Sequence, residues 1–299
     1  MFTGCGTALV TPFTHDGALD ERTLRSLVRR QIDNGINFLV PCGTTGESPT
    51  LTRREHLRVV EITLDEAKGK VPVLAGAGGY NTHEVIELAR ELQTMGVDGI
   101  LSVTPYYNKP TQEGLYQHYE AIASKVDLPI VVYSVQGRTG VNVEPATLKR
   151  LAEIENIVGV KEASGNIAQM AQVVQQVPQK FLVLSGDDAI TIPLIALGGR
   201  GVISVVANEI PREMTELTAA ALSGDFAHAR ELQRKYLPLM DVNFVESNPI
   251  PVKAAMAMMG LLDLVYRLPM VPPSEANRAK VEKVLETLGL LAGRTVHAG

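Results

Sequence analysis

Ile157-Val158-Gly159-Val160-Lys161-Glu162 is a run of β-branched and small residues that stops on two charges. Its first four positions are apolar on both alternations, the mark of a strand covered on two faces, as in a parallel sheet. Seven more runs of this kind occur, at 7–10, 38–40, 71–75, 100–103, 130–133, 181–184 and 202–206. They recur at intervals of roughly 20 to 35 residues, room for one strand, one helix and their turns.

Helical signals fill the gaps. Asp20 opens a segment with Leu24, Leu27, Val28 and Ile32 on one face, and Gly35 ends it. Thr52 and Glu55 have capping-box spacing ahead of Leu57, Val60, Leu64 and Ala67, with Gly69 as the stop. Thr82 precedes Val85, Ile86, Ala89 and Leu92, and Gly96 closes that segment. Eight strand–helix units predict an α/β fold, a (β/α)8 TIM barrel, with an open doubly wound sheet as the alternative. Beyond about residue 225 the rhythm changes: 226–244, 251–262 and 275–291 read as helices with no strand between them. The expected organisation is a barrel over 1–224 and a C-terminal helical domain over 225–299, with no linker.

Composition excludes several classes. The chain has 299 residues, 45% hydrophobic and 20% charged, with a net charge of −5. That balance suits a globular protein with a large core, and no Lys/Arg block suggests nucleic-acid binding. No apolar stretch reaches the ~18 residues of a membrane span. The first residues lack a basic segment followed by a long apolar run, so no signal peptide is expected and the expected location is the cytoplasm. Cys5 and Cys42 are too few for a disulfide framework. The six histidines show no ligand spacing, and no metal is expected at Asp187-Asp188.

In a barrel, the segments that follow the strands meet at one mouth. Here they are Gly43-Thr44-Thr45-Gly46-Glu47, Thr104-Pro105-Tyr106-Tyr107-Asn108, Tyr133 with Arg138-Thr139-Gly140, Lys161-Glu162 and Ser185-Gly186-Asp187-Asp188. Lys161 is the sharpest of these. Burial disfavours a charged ammonium, and a neutral amine attacks a ketone to form an imine. Its plainer reading is an ion-paired lysine at the rim. Lys253 is a rival, read as a solvated or structural lysine of the helical extension. The Gly43–Glu47 turn offers N–H groups and two hydroxyls to a carboxylate. It lacks the lysine of a phosphate-binding loop. Tyr133 and Tyr107 are able to carry protons, and Arg138 to clamp a carboxylate, or all three are rim residues.

Together these stretches resemble the dihydrodipicolinate synthase and N-acetylneuraminate lyase superfamily, from Thr7-Ala8-Leu9-Val10-Thr11-Pro12 to the C-terminal helices. The threonine pair, Tyr106-Tyr107-Asn108 and Asn248-Pro249-Ile250-Pro251-Val252-Lys253 are most similar to the synthase branch. The resemblance implies that Lys161 forms a pyruvate imine, without metal or organic cofactor. It implies that Tyr133 donates and accepts protons, with Thr44 linking it to a Tyr107 from a neighbouring subunit. Thr45 would hold the pyruvate carboxylate, Arg138 the carboxylate of the aldehyde, and Gly186 and Ile203 would line the pyruvate pocket. The implied partners are small-molecule substrates, pyruvate and L-aspartate 4-semialdehyde, and copies of the chain in a homotetramer of tight dimers. Two other readings remain open: cleavage or dehydration of 2-keto-3-deoxy sugar acids on the same fold, and a non-catalytic keto-acid-binding protein.

Some positions depart from the family's pattern. Ser134 and Gln136 stand where asparagine and proline are usual, and Ser247 replaces a common proline. Lysine-inhibited members carry an interface site that Ser48, His56, Glu84 and Tyr106 match, whereas Arg53 and Tyr80 do not. Lysine feedback is therefore expected to be weak or absent.

Overall fold

The structure, a computed structural model, describes residues 1–291. Eight strands follow in chain order: β1 (Gly4–Ala8), β2 (Phe38–Val40), β3 (Leu74–Gly76), β4 (Gly99–Val103), β5 (Ile130–Ser134), β6 (Ile157–Glu162), β7 (Leu182–Ser185) and β8 (Gly201–Ser204). They pair in parallel in the order β2-β1-β8-β7-β6-β5-β4-β3. A parallel bridge between Leu39 and Val73 joins the two ends of that order, and Leu39 N–H donates to Pro72 at 2.9 Å. The sheet is thus a closed (β/α)8 barrel, which settles the choice against an open sheet.

A helix follows every strand, because each segment carries its own start and stop. Asp20 caps Glu21–Asp33 by accepting from Thr23 N–H at 2.9 Å. Thr52 and Glu55 complete their reciprocal cap on Arg53–Ala67. The next helix, Thr82–Met95, is capped by Asn81 rather than Thr82, which is its first residue. Three further helices, Phe226–Val242, Ile250–Met258 and Glu275–Leu288, form the extension. Their Tyr236, Leu239, Met240, Ala255, Val281 and Leu285 join the same apolar cluster as the barrel's helical layer.

Most strand bounds differ from the sequence expectation, and three of the shifts matter here. β1 begins at Gly4 and ends at Ala8, rather than spanning 7–10. Its glycines carry no strand signal, yet the packing demands them: a Cβ on Gly6 would lie 2.1 Å from the Phe38 ring. β3 is displaced to Leu74–Gly76, and β8 gives way after Ser204 to a 3-10 turn at Val206–Asn208.

Inside the cylinder Ala8, Phe38, Val40, Leu74, Leu101, Val131, Tyr133, Leu184 and Ile203 form a second cluster with Phe2. Phe2 packs edge-on against Phe38, ring centres 5.7 Å apart. Each fully buried side chain of this kind contributes about 1.5–3 kcal/mol. The interior is therefore packed, and chemistry is confined to the mouth.

Candidate active site

The turn after β2 has an unusual backbone. Cys42 and Glu47, one on each side of the threonine pair, take the left-handed conformation at φ 56° and 53°. For residues other than glycine this costs about 1–2 kcal/mol each. Contacts from elsewhere hold the turn. Thr11 Oγ1 donates to Gly46 O at 2.7 Å, Asn248 Nδ2 to Thr45 Oγ1 at 2.9 Å, and Lys253 Nζ to Glu47 Oε1 at 2.6 Å. Gly46 N–H and Glu47 N–H turn back onto Gly43 O and Thr44 O. Among the described residues, the Thr44 and Thr45 N–H groups make no backbone hydrogen bond. Two donors and two hydroxyls are thus gathered beside the cavity, a fit for an anionic oxygen.

That cavity, of about 120 Å³, is lined by Thr44, Thr45, Tyr133, Arg138, Lys161 and Gly186, together with Val135, Ala163, Asp187, Val205, Phe244 and Asn248. Lys161 and Tyr133 are register partners on β6 and β5, so both side chains enter the barrel at one level. Lys161 is 5% exposed, and its Nζ lies 4.4 Å from the centre of the Tyr133 ring. It has no ion-pair partner among the described residues. Gly186 leaves room for the lysine stem: a Cβ there would stand 3.1 Å from Lys161 Cε and 2.5 Å from Ala163 Cβ.

Glu162, one residue on, points the other way, into the helical layer. Gln169 Nε2 donates to it at 2.8 Å, and burial pushes its carboxyl up. Ser134, its register partner, also faces outward, and its hydroxyl accepts from Val143 N–H at 3.1 Å. The departure at Ser134 therefore serves β5 anchoring and does not face the cavity. Gln136 begins the short helix Gln136–Thr139 and is exposed. Arg138, on that helix, reaches back to the rim, where its Nη2 donates to Asn248 O at 3.1 Å.

Two predicted site residues lie elsewhere. Ile203 packs in the barrel interior with Tyr133 and Leu184, and is not among the cavity's lining residues. Side chains of a strand repeat every two residues, so Val205, the next on that face, lines the cavity and Ile203 sits one layer below. Tyr107, expected to act from a neighbouring subunit, is 92% exposed and outside the lining of its own chain's cavity.

Of the two readings given for Lys253, solvated or structural, the structure selects the structural one. Lys253 is fully buried, donates to Thr11 O at 3.1 Å as well as to Glu47, and lies 4.5 Å from the Phe13 ring centre. Burial pushes its ammonium down, and Glu47 opposes that. Asn248, which the sequence reading gave no site role, grips both Thr45 and Arg138.

A wider cavity of about 340 Å³ adjoins the first through Thr44, Val135, Arg138 and Asn248. Ser48 and Tyr106 line it; His56 and Glu84 do not. His56 binds Gly76 O through Nε2 at 2.9 Å, and burial pushes its imidazole down to about 4. Glu84 accepts from Asn81 at 2.9 Å. Arg53 pairs with Glu91 at 3.2 Å, and Tyr80 packs edge-on against Tyr106. Among the described residues no group of three or more His, Cys, Asp or Glu is placed to hold a metal ion, and no helix is long and apolar enough to cross a membrane.

The family model described as the dihydrodipicolinate synthetase family matches residues 1–288. A 4-hydroxy-tetrahydrodipicolinate synthase of Koribacter versatilis is 55% identical over 294 residues, covering 98% of each chain. The crystal structure of dihydrodipicolinate synthase from Thermotoga maritima is 49% identical with a TM-score of 0.95, over 97% of this chain and 100% of that one. The chloride-inhibited enzyme of Acinetobacter baumannii, solved in complex with pyruvate, is 44% identical with a TM-score of 0.96, over 97% of this chain and 100% of that one. The chain belongs to the dihydrodipicolinate synthetase family.

Proposed function

We propose that the chain is a lyase that joins pyruvate to L-aspartate 4-semialdehyde through an imine on Lys161 and releases 4-hydroxy-tetrahydrodipicolinate, for lysine and diaminopimelate synthesis. One observation carries the reading: a buried lysine, without a carboxylate partner among the described residues, shares a small cavity with Tyr133, Thr44 and Thr45. The relatives' activity supports the substrates.

The chemistry follows from that cavity. Lys161 Nζ attacks the keto carbon of pyruvate, water leaves, and a protonated imine remains. Its nitrogen accepts the electron pair when the methyl carbon loses a proton, which gives an enamine. That carbon bonds to the aldehyde carbon, whose oxygen takes up a proton. The substrate's own amine then bonds to the imine carbon, the ring closes, and Lys161 leaves as the free amine. Tyr133 moves the protons, helped by Thr44 and by Tyr107 of a neighbouring subunit in a homotetramer. Thr45 holds the pyruvate carboxylate and Arg138 that of the aldehyde. Gly186 keeps the lysine's path clear. The lysine itself is the electron sink, so no cofactor is needed. The enzyme works in the cytoplasm, and lysine inhibits it weakly or not at all, because Arg53 and Tyr80 alter the site that Ser48, His56, Glu84 and Tyr106 would form.

Borohydride reduction in the presence of pyruvate, followed by peptide mass spectrometry, tests the imine. Labelling at Lys161 is the expected result, and an unlabelled Lys161 overturns it. Turnover of the semialdehyde against 2-keto-3-deoxy sugar acids tests the aldehyde.

A further inference from the structure

The Thr44-Thr45 turn does not hold its own shape. Both flanking residues, Cys42 and Glu47, sit in the left-handed region, which side chains other than glycine occupy only when their surroundings impose it. The imposing contacts come from the distant helical extension. Lys253, in the first turns of Ile250–Met258, sends a fully buried ammonium to Glu47 at 2.6 Å. The same ammonium donates to Thr11 O at 3.1 Å, and Thr11 Oγ1 in turn donates to Gly46 O at 2.7 Å. Phe13 and Tyr266 present ring faces at 4.5 and 5.1 Å, closing the ammonium off from water. The geometry is that of a strut: one cation fixes the strained end of the turn directly and, through Thr11, the residue before it.

We infer that Lys253 is a positioning residue for the pyruvate half of the reaction, acting through Glu47 and Thr11 to aim the Thr44-Thr45 turn into the Lys161 cavity. The inference rests on the pyruvate reading above. Lys253 does not line that cavity, so it acts through the turn and not on substrate. Neither Lys253 nor Glu47 bonds Arg138, which stands on a different element, the helix Gln136–Thr139, so the strut acts first on the keto-acid side.

The test is the double variant Lys253→Met with Glu47→Gln, which removes both charges and leaves neither buried alone. Steady-state kinetics are compared with the parent chain, alongside a thermal melt and borohydride trapping at saturating pyruvate. A rise of about tenfold in pyruvate KM with an unchanged semialdehyde KM is expected, with the adduct still on Lys161. A tether with no positioning role lowers the melting temperature and the active fraction, hence kcat, and moves neither KM. A folded double variant with both KM values unchanged therefore overturns the inference. If that variant does not fold, Glu47→Gln alone is measured; it keeps a polar partner for Lys253 and is expected to raise pyruvate KM about threefold. No rise there overturns the inference as well. Failure of the parent chain to trap pyruvate is a different result, and it overturns the imine reading itself.

Discussion

Two lysines are withdrawn from water at the mouth end of this barrel, and their surroundings differ completely. Lys253 is fully buried against a carboxylate at 2.6 Å, a carbonyl and two aromatic rings. Lys161 is 5% exposed and has a ring face at 4.4 Å, hydroxyl-bearing residues around it and no acid partner among the described residues. The first site satisfies an ammonium and leaves it no reactive role. The second withholds that satisfaction, and its nitrogen borders a cavity of about 120 Å³. Burial alone would not have told the structural lysine from the one proposed to react; the partner does.

The comparison breaks most visibly at Lys161. Lys161→Met is expected to lower turnover by at least about a thousandfold while leaving the melting temperature near that of the parent. A coupled semialdehyde assay and a thermal melt read both, and activity within tenfold of the parent would move the chemistry elsewhere. At Lys253 the expected loss is of the other kind. Lys253→Met alone leaves the Glu47 carboxylate buried without its cation, and unfolding free energy is expected to fall by about 3–5 kcal/mol. Urea titration measures this; a loss below about 1 kcal/mol would place the pair among solvated ion pairs.

The smallest effect extends the contrast to acids. Glu47 has a cation, whereas the fully buried Glu209 accepts from Asn243 Nδ2 at 2.6 Å and meets Arg30 only through backbone carbonyls. Glu209 Oε1 and Asn243 Oδ1 have no hydrogen-bond partner among the described residues. Burial pushes the Glu209 carboxyl well above its usual value, helped by Asp188 and opposed by Asn243 and Arg30. The folded chain therefore binds this proton more tightly than the unfolded one. Its contribution is whole below the ordinary glutamate value and is lost as pH climbs through the raised one. Glu209→Gln needs no proton, and its amide can donate to Asn243 Oδ1. The variant is expected to be about 1–2 kcal/mol more stable than the parent at pH 8, with the gap narrowing toward pH 4. A gap that does not change with pH would show that Glu209 keeps its charge throughout.

Most of the fold was legible because its signals are local. Apolar runs, caps such as Thr52 with Glu55, and stops such as Gly96 each act within a few residues. Gly4 and Gly6 escaped because their places in β1 are decided by the Asn37 side chain and the Phe38 ring and not by their own propensity. At the site, Lys161 and Tyr133 were visible as polar residues extending apolar runs. Ile203 packs one layer below the cavity lining, since a strand's register fixes which of two inward residues meets the cavity. Asn248 and the burial of Lys253 were invisible for a third reason: their partners lie 203 and 206 residues away in the chain. No window on the sequence spans that separation.

That separation has a consequence in time. All eight strands have been synthesised once Ser204 is made, but the amide that reaches Thr45 and the cation that reaches Glu47 belong to the extension translated afterwards. A ribosome-bound chain with a finished cylinder thus lacks the parts that shape its keto-acid cradle. Completion of the cradle is therefore expected last, when the tail docks.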